Sequence, residues 1–352
     1  MYLESIDKTK DLKILVTCAL GDYMKGTIKC FKENGERNIT IVGVDMNEMT
    51  HNFVGLDKFY KVGRCLDKGY VDSILDIAIK EEVDVVIPFN TLELELFAER
   101  KIDFVSKGIQ VMVSGGPFNL AIANNKDQAG AFMIANNIGT PETTIVDSYD
   151  KVKNVIDKHP GEVFCIKQFK GCGGRGFGVI GSAKTSALDK SNVPVLNEED
   201  LEKMLSNGSQ YLMQKYIKGK ELTVDCLVDE GKVVYAITKE NECMENGVAR
   251  QSKIISCPEA EEECRKFCEM LGLQGNVGFD LMMDGNKPMI IDVNPRITAT
   301  ISLIHQAGVN LPYMSLKLLL KEEIDEDLPI KYGTSLHRRI EDYFFDEEGN
   351  QL

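Results

Sequence analysis

Residues 278–296 read GFDLMMDGNKPMIIDVNPR, two apolar runs joined by Asp284-Gly285-Asn286. The turn residues between β-favouring runs predict a hairpin. Asp280 falls on one strand and Asp292 on its partner. Asn294 lies two residues beyond Asp292, so both side chains share a face. Arg296 lies two further and joins them if the strand persists past Pro295. Two carboxylates and an amide oxygen on one wall form a hard oxygen cluster suited to Mg2+ or Mn2+. The competing reading is a pair of solvated acids. Against it, "MIIDVN" sets Asp292 among apolar neighbours, where a carboxylate needs a partner.

A second stretch, CIKQFKGCGGRGFGVI at 165–180, places glycines between two strand-like runs. Gly171, Gly173 and Gly176 fit the spacing of a dinucleotide motif. That motif needs a strand before and a helix after. Here a strand follows, so the glycines form a hairpin tip. Such a tip can fold over a phosphate chain, because glycine lets backbone N–H groups approach an anion closely. Lys167 on the incoming strand reaches the same phosphates. The alternative is a mobile surface loop.

A third stretch, YLMQKYIKGKELTVD at 211–225, is two strands with a short link. It can form a slot for a planar base, with backbone groups of Lys215 and Ile217 on the base edge and Glu221 accepting from sugar hydroxyls.

Around these stretches the chain divides in two. From Lys13 to about Gly116, strands at "KILVTCAL", "ITIVGVD", "DVVIPF" and "IQVMVS" alternate with helical segments. That alternation means a parallel, doubly wound sheet. Beyond it come a helical stretch over 118–139, a strand at "PETTIVDS" and a helix N-capped by Asn197. An antiparallel run follows, with turns at Lys218-Gly219 and Glu230-Gly231. The plan is an α/β unit followed by a larger α+β unit.

Composition bounds the function. The 352 residues suffice for two or three domains, and 43% apolar with 27% charged residues is ordinary for a globular protein. A net charge of −14 argues against a nucleic-acid binder, though a local basic pocket can still hold a small anion. The start "MYLESIDKTKDLK" has no apolar leader, and no run approaches a membrane span. The ten cysteines include no CxxC and the four histidines are scattered, so no zinc site and a reduced, cytoplasmic setting are expected.

Together these stretches resemble the ATP-grasp superfamily, and within it the branch of the carbamoyl-phosphate synthase large subunit. The similarity spans nearly the whole chain, and its specificity lies in the joint order of four motifs. The resemblance implies a pre-ATP-grasp domain over 1–116 and an ATP-grasp domain over 117–352. The latter would hold a lid subdomain at about 141–214 and a metal and substrate subdomain at about 215–352. "NNKDQAGAFMIANNIGTPET" would supply Lys126 to the α-phosphate. "CIKQFKGCGGRGFGV" would supply Lys167 and a lid loop with Gly173, Gly174, Arg175 and Gly176. "MQKYIKGKELTVD" would supply Gln214, Lys215, Tyr216, Ile217 and Glu221 to the adenosine. The 278–296 hairpin would supply Asp280, Asp292 and Asn294 to Mg2+ and Arg296 to the transferred phosphoryl group. Many members carry Glu where Asp280, Asp292 and Gln214 stand. The chain carries one ATP-grasp unit, whereas the synthase subunit has two.

The activity so implied is ADP-forming: ATP phosphorylates a small-molecule carboxylate and an amine or amino acid attacks the acyl phosphate. Arg250 and Lys253, in "NGVARQSKII", are candidates for the substrate carboxylate or the new phosphate, against a solvated basic surface. Three readings remain open: a carboxylate–amine ligase, a small-molecule kinase or bicarbonate-using carboxylase, and a non-catalytic ATP-binding subunit. The first two expect small-molecule partners, with a homodimer left open.

Overall fold

The computed structural model describes residues 10–49, 54–169, 176–180, 194–245, 247–339, 342, 344, 346 and 352. The first unit is the expected parallel sheet. Strands β1 (Leu12–Val16), β2 (Ile39–Asp45), β3 (Lys58–Lys61), β4 (Val85–Ile87) and β5 (Gln110–Val111) lie in the order β3-β2-β1-β4-β5. Every pairing among them is parallel. Buried on both faces, β1 and β2 are almost wholly apolar, as parallel strands between helices must be. Helices α1 (Met24–Lys32) and α2 (Tyr70–Lys80) bury alternate stripes of residues. The next helical segment is two helices, α3 (Leu94–Glu99) and α4 (Lys101–Val105), broken at Arg100. The order reverses between β1 and β4, so a crevice opens at their carboxyl ends.

The helical stretch after Gly116 is also two helices, α5 (Pro117–Ala123) and α6 (Lys126–Ala135). Asn125 separates them by capping α6, its side chain accepting from Asp127 N at 3.0 Å. A second sheet then joins β6 (Thr143–Val146), β7 (Phe164–Lys167), β8 (Gly178–Ile180) and β9 (Val195–Leu196) to β10 (Tyr211–Lys215), with β10 between β6 and β7. Helix α7 (Tyr149–Lys158), which the sequence reading left unassigned, packs on it beside α8 (Glu198–Leu205). Asn197 caps α8 as expected, in a reciprocal box with Asp200.

The third sheet carries the chemistry. Its order is β15-β14-β11-β12-β13-β16, from β11 (Glu221–Asp229), β12 (Lys232–Glu245), β13 (Val248–Ile255), β14 (Gly275–Asp284), β15 (Lys287–Asn294) and β16 (Ser335–His337). All its pairings are antiparallel. β11 shows how the sheet is sided. Leu222, Val224 and Cys226 face α9 (Pro258–Leu271) in one apolar core with Phe267, Phe279 and Ile290. Glu221, Thr223 and Asp225 therefore point to the other face. Helices α10 (Ile301–Gln306) and α11 (Leu311–Leu319) share a core with α1 and β1 of the first unit. That contact ties the first unit to the third sheet. Arg37 seals it through a buried ion pair with Glu322 at 2.5 Å.

Gly219, expected as a turn residue, serves another need. A Cβ there would lie 2.0 Å from the carbonyl oxygen of Met283, so only glycine lets the link before β11 lie against β14.

Candidate active site

The 278–296 hairpin forms with its two-residue turn at Gly285-Asn286, and Asp284 faces Lys287. Regular pairing from that turn would set Asp280 opposite Ile291. Instead the register shifts between Asp280 and Leu281, Ile291 bulges out, and Asp280 stands opposite Asp292. The bulge thus puts the two carboxylates side by side. It also frees the Ile291 carbonyl from the ladder, and Lys167 Nζ donates to that oxygen at 2.8 Å.

The carboxylate pair is partly buried and well furnished with donors. Asp280 accepts from Thr223 Oγ1 at 3.0 Å and from Asn294 Nδ2 at 3.1 Å. Asp292 is ion-paired with Lys126 Nζ. Burial, and then the neighbouring charges of Asp292 and Glu221, push Asp280 up to about 6. Burial, with the Lys126 charge nearby, pulls Lys167 down to about 8, although Asp292 opposes this. The arrangement therefore holds two close carboxylates with their cations displaced to one side. A divalent cation would relieve that repulsion, and the Lys126 ammonium marks a cation-accepting position on Asp292. Two carboxylates with the Asn294 amide oxygen form a donor set that fits Mg2+.

Lys126 reaches the hairpin because it is the first residue of α6, and its N–H donates to Phe169 O at 3.2 Å. Lys167 ends β7. The two lysines arrive from different elements on one hairpin. Gly176 has a left-handed backbone, φ +72°, at the entry to β8. Gly173, Gly174 and Arg175 lie outside the described residues.

Among the base-slot candidates, Gln214 is buried on β10 and donates to Thr143 Oγ1 at 2.6 Å. Tyr216 N donates to Val163 O at 2.8 Å and Ile217 is buried. The Lys215 side chain turns outward to Glu162 at 3.0 Å, while its backbone sits in the ladder opposite Phe164. Glu221 shares the face of Thr223 and stands close enough to Asp280 to raise its pKa.

Arg296 lies in the link after β15. Its Nη1 donates to Ile297 O at 2.9 Å, Nη2 to Asn294 Oδ1 at 3.4 Å and Nε to Thr91 Oγ1 of the first unit at 3.3 Å. The strand does not persist past Pro295, since β15 ends at Asn294. Arg296 stays by the carboxylates through its bond to Asn294.

The two substrate candidates separate. Ser252 on β13 faces the site, its hydroxyl donating to Asn241 Oδ1 at 3.0 Å, and Asn241 donates to Thr223 Oγ1 at 2.9 Å. Arg250 shares that face, ion-paired with Glu245. Lys253 alternates to the opposite face, exposed and across from Glu240. The structure therefore does not bring Lys253 to the carboxylate row.

Sequence reading missed the support beneath Arg296. Lys239 on β12, fully buried, stands opposite Thr223 and is ion-paired with buried Asp225. Thr298 Oγ1 donates to Asp225 Oδ1 at 2.6 Å, and Lys239 Nζ donates to Thr300 Oγ1 at 2.6 Å. The 295–300 link is thereby pinned to the sheet. Gly278 makes room: a Cβ there would lie 2.1 Å from Thr298 Cγ2. The alternation of Glu221, Thr223 and Asp225 was the signal available for this row, but only register could pair it with Lys239. A hollow of about 460 Å³ opens elsewhere, between Gly139, Glu263 and Pro288, and none of the candidate nucleotide or metal residues lines it.

Residues 208–339 match the family described as "ATP-grasp in the biosynthetic pathway with Ter operon", and residues 14–112 match "PylC-like, N-terminal domain". Residues 208–339 are thus an ATP-grasp segment. The chain is similar to the carbamoyl phosphate synthase large chain of Clostridium acetobutylicum, with 23% identity over 325 residues. That match covers 87% of this chain and 28% of the relative's length. The biotin carboxylase domain of Hydrogenobacter thermophilus 2-oxoglutarate carboxylase, solved with MgADP, ADP and bicarbonate, superposes with a TM-score of 0.66. The two are 18% identical, and the superposition covers 90% of this chain and 72% of that one. The L-amino acid ligase of Bacillus licheniformis gives a TM-score of 0.64 at 14% identity, covering 88% and 74%. At these identities the two structures share the ATP-grasp fold with this chain. Among the described residues no helix is long and apolar enough to cross a membrane.

Proposed function

We propose that this protein is an ATP- and Mg2+-dependent ligase. It activates a small-molecule carboxylate as an acyl phosphate, and an amine or amino acid then closes an amide or peptide bond. The observation that carries this reading is the bulged hairpin. It sets Asp280, Asp292 and Asn294 in one row under Lys126 and Lys167, with Arg296 at the end. Such a site neutralises and positions a polyphosphate without a protein nucleophile, as direct phosphoryl transfer requires. The likeness to a MgADP-bound carboxylase domain and to an amino acid ligase supports the same chemistry.

In this account Asp280, Asp292 and Asn294 hold Mg2+, which supplies charge neutralisation on the phosphates. Lys126 and Lys167 hold the phosphates, and Gln214 and Glu221 the adenosine. A substrate carboxylate oxygen attacks the γ-phosphorus while Arg296 steadies the equatorial charge. The bond to the bridging oxygen breaks, and ADP leaves with its electrons. The amine nitrogen then attacks the acyl carbon, inorganic phosphate leaves, and the nitrogen gives its proton to water.

ADP release across a panel of carboxylates and amines, with mass spectrometry of the products, tests the reading. An amide product with ADP and phosphate supports it. A stable phosphorylated product would make the protein a kinase, a carboxylated product a carboxylase, and the absence of any turnover with nucleotide bound a non-catalytic subunit. Assembly as a homodimer belongs to the same proposal, and light scattering reads it.

A further inference from the structure

Arg338 follows β16 and continues its pairing along β13. Its N–H donates to Arg250 O at 2.8 Å, and its Nη2 donates to Ala299 O at 2.5 Å, in the link that carries Arg296. The guanidinium lies 4.4 Å from the ring centroid of Tyr23, at the start of α1 in the first unit. Its Nη1 is buried with no hydrogen-bond partner, and no described carboxylate pairs with it. Burial pulls its pKa below the ordinary value, and the nearby charge of Arg250 adds to this.

A half-buried guanidinium with an unmet N–H and no counter-charge among the described residues is costly, because desolvation is uncompensated. Arg250 stands beside it on the site face of β13, partly neutralised by Glu245, with the exposed Asp22 further off. The position is not the nucleotide's. Three strand spacings, about 14 Å at the backbone, separate β13 from Asp280 on β14. Lys126 and Lys167 approach from the far side, on β15. Tyr23 lies in the segment after β1, beside the crevice where the strand order of the first unit reverses. The place is therefore walled by both units and joined to the reacting centre through the 295–300 link.

We propose that Arg338, flanked by Arg250 and Tyr23, binds a substrate carboxylate other than the one that is phosphorylated. That second carboxylate comes from the activated acid, which is then a dicarboxylate, or from the incoming amino acid. Arginine's planar fork suits a carboxylate held by two parallel bonds. This inference rests on the ligase reading.

The test records guanidinium 1H–15N spectra of the full chain, labelled with 13C,15N-arginine and assigned with Arg338→Lys. Sodium succinate, glycine or neutral propionamide is added, and melting is followed in parallel for the wild type and Arg338→Met. The Arg338 signal is expected to shift saturably with succinate or glycine and to ignore propionamide. The same carboxylate raises the Tm of the wild type and leaves Arg338→Met unmoved. A response to succinate alone assigns the carboxylate to the acid, and a response to glycine alone assigns it to the amino acid. The proposal is overturned if the signal moves with propionamide as it does with the carboxylates, or moves with none of them. Should Arg338→Met fail to fold, melting of Arg338→Lys decides: a charge without the fork loses the rise in Tm with succinate or glycine, and a rise as large as the wild type's overturns the proposal. Calorimetric binding of Mg-ADP keeps the two readings apart. Its absence in the wild type overturns the ligase reading, whereas normal binding with a silent Arg338 overturns only this one.

Discussion

Gly278→Ala tests how Arg296 is held. The added methyl would meet Thr298 Cγ2 at 2.1 Å, so Thr298 must retreat by about 1.3 Å to reach ordinary contact. Thr298 Oγ1 now donates to Asp225 at 2.6 Å, and a retreat of that size breaks the bond. A buried bond to a charged acceptor is worth about 1.5–3 kcal/mol. The variant should therefore lose about 2 kcal/mol by urea denaturation, or about 4 °C in Tm. The same motion carries the 295–300 link, and a displacement of about 1 Å at a positioned group costs roughly 100-fold in rate. Adding Thr298→Ser removes the clashing methyl and keeps the hydroxyl, so the double variant should regain most of both losses. Wild-type stability and turnover in Gly278→Ala, or no rescue by Thr298→Ser, would refute the reasoning.

Three further outcomes are expected. Asp292→Ala should fold, by circular dichroism and melting, yet lose ADP production even at saturating Mg2+; near-normal turnover would remove Asp292 from the metal site. Lys239→Met should cost about 3–5 kcal/mol in urea by stranding Asp225, while Lys239→Met with Asp225→Leu recovers much of it. Lys167, held near 8, is charged below that pH and neutral above it, and polyphosphate favours the charged form. ADP binding at pH 8–9 should therefore take up a proton and weaken as pH rises, which calorimetry in buffers of different ionisation heat reads, and Lys167→Met should abolish the uptake.

Much of the site was legible because it is local. The 278–296 hairpin carries its own turn signal, and two carboxylates on its strands are visible without any other segment. The first sheet was legible because apolar strands and amphipathic helices alternate at different periods. The bulge at Ile291 was not legible, since it depends on Lys167 and Gly139 meeting the backbone there from outside: Ile290 N donates to Gly139 O at 2.7 Å. The facing of Lys253 was not legible because one residue along a strand reverses the face, and only pairing with β12 sets Ser252 opposite Asn241 and Lys253 opposite Glu240. Nothing in "YAITKE" marks Lys239 as buried; Asp225, Thr298 and Thr300 converge on it only in the fold. Arg338 reaches the site only through the return of the chain after α11, a contact between distant segments that no local pattern announces.

Direct phosphoryl transfer from ATP to a carboxylate leaves its trace in the phosphate released. With the productive acid labelled with 18O in its carboxylate, one label should appear in inorganic phosphate for each amide formed. Label in AMP would mean an adenylate, and it would contradict the placement of Lys167 and Arg296 on the transferring phosphoryl group; unlabelled phosphate would contradict activation of the carboxylate altogether.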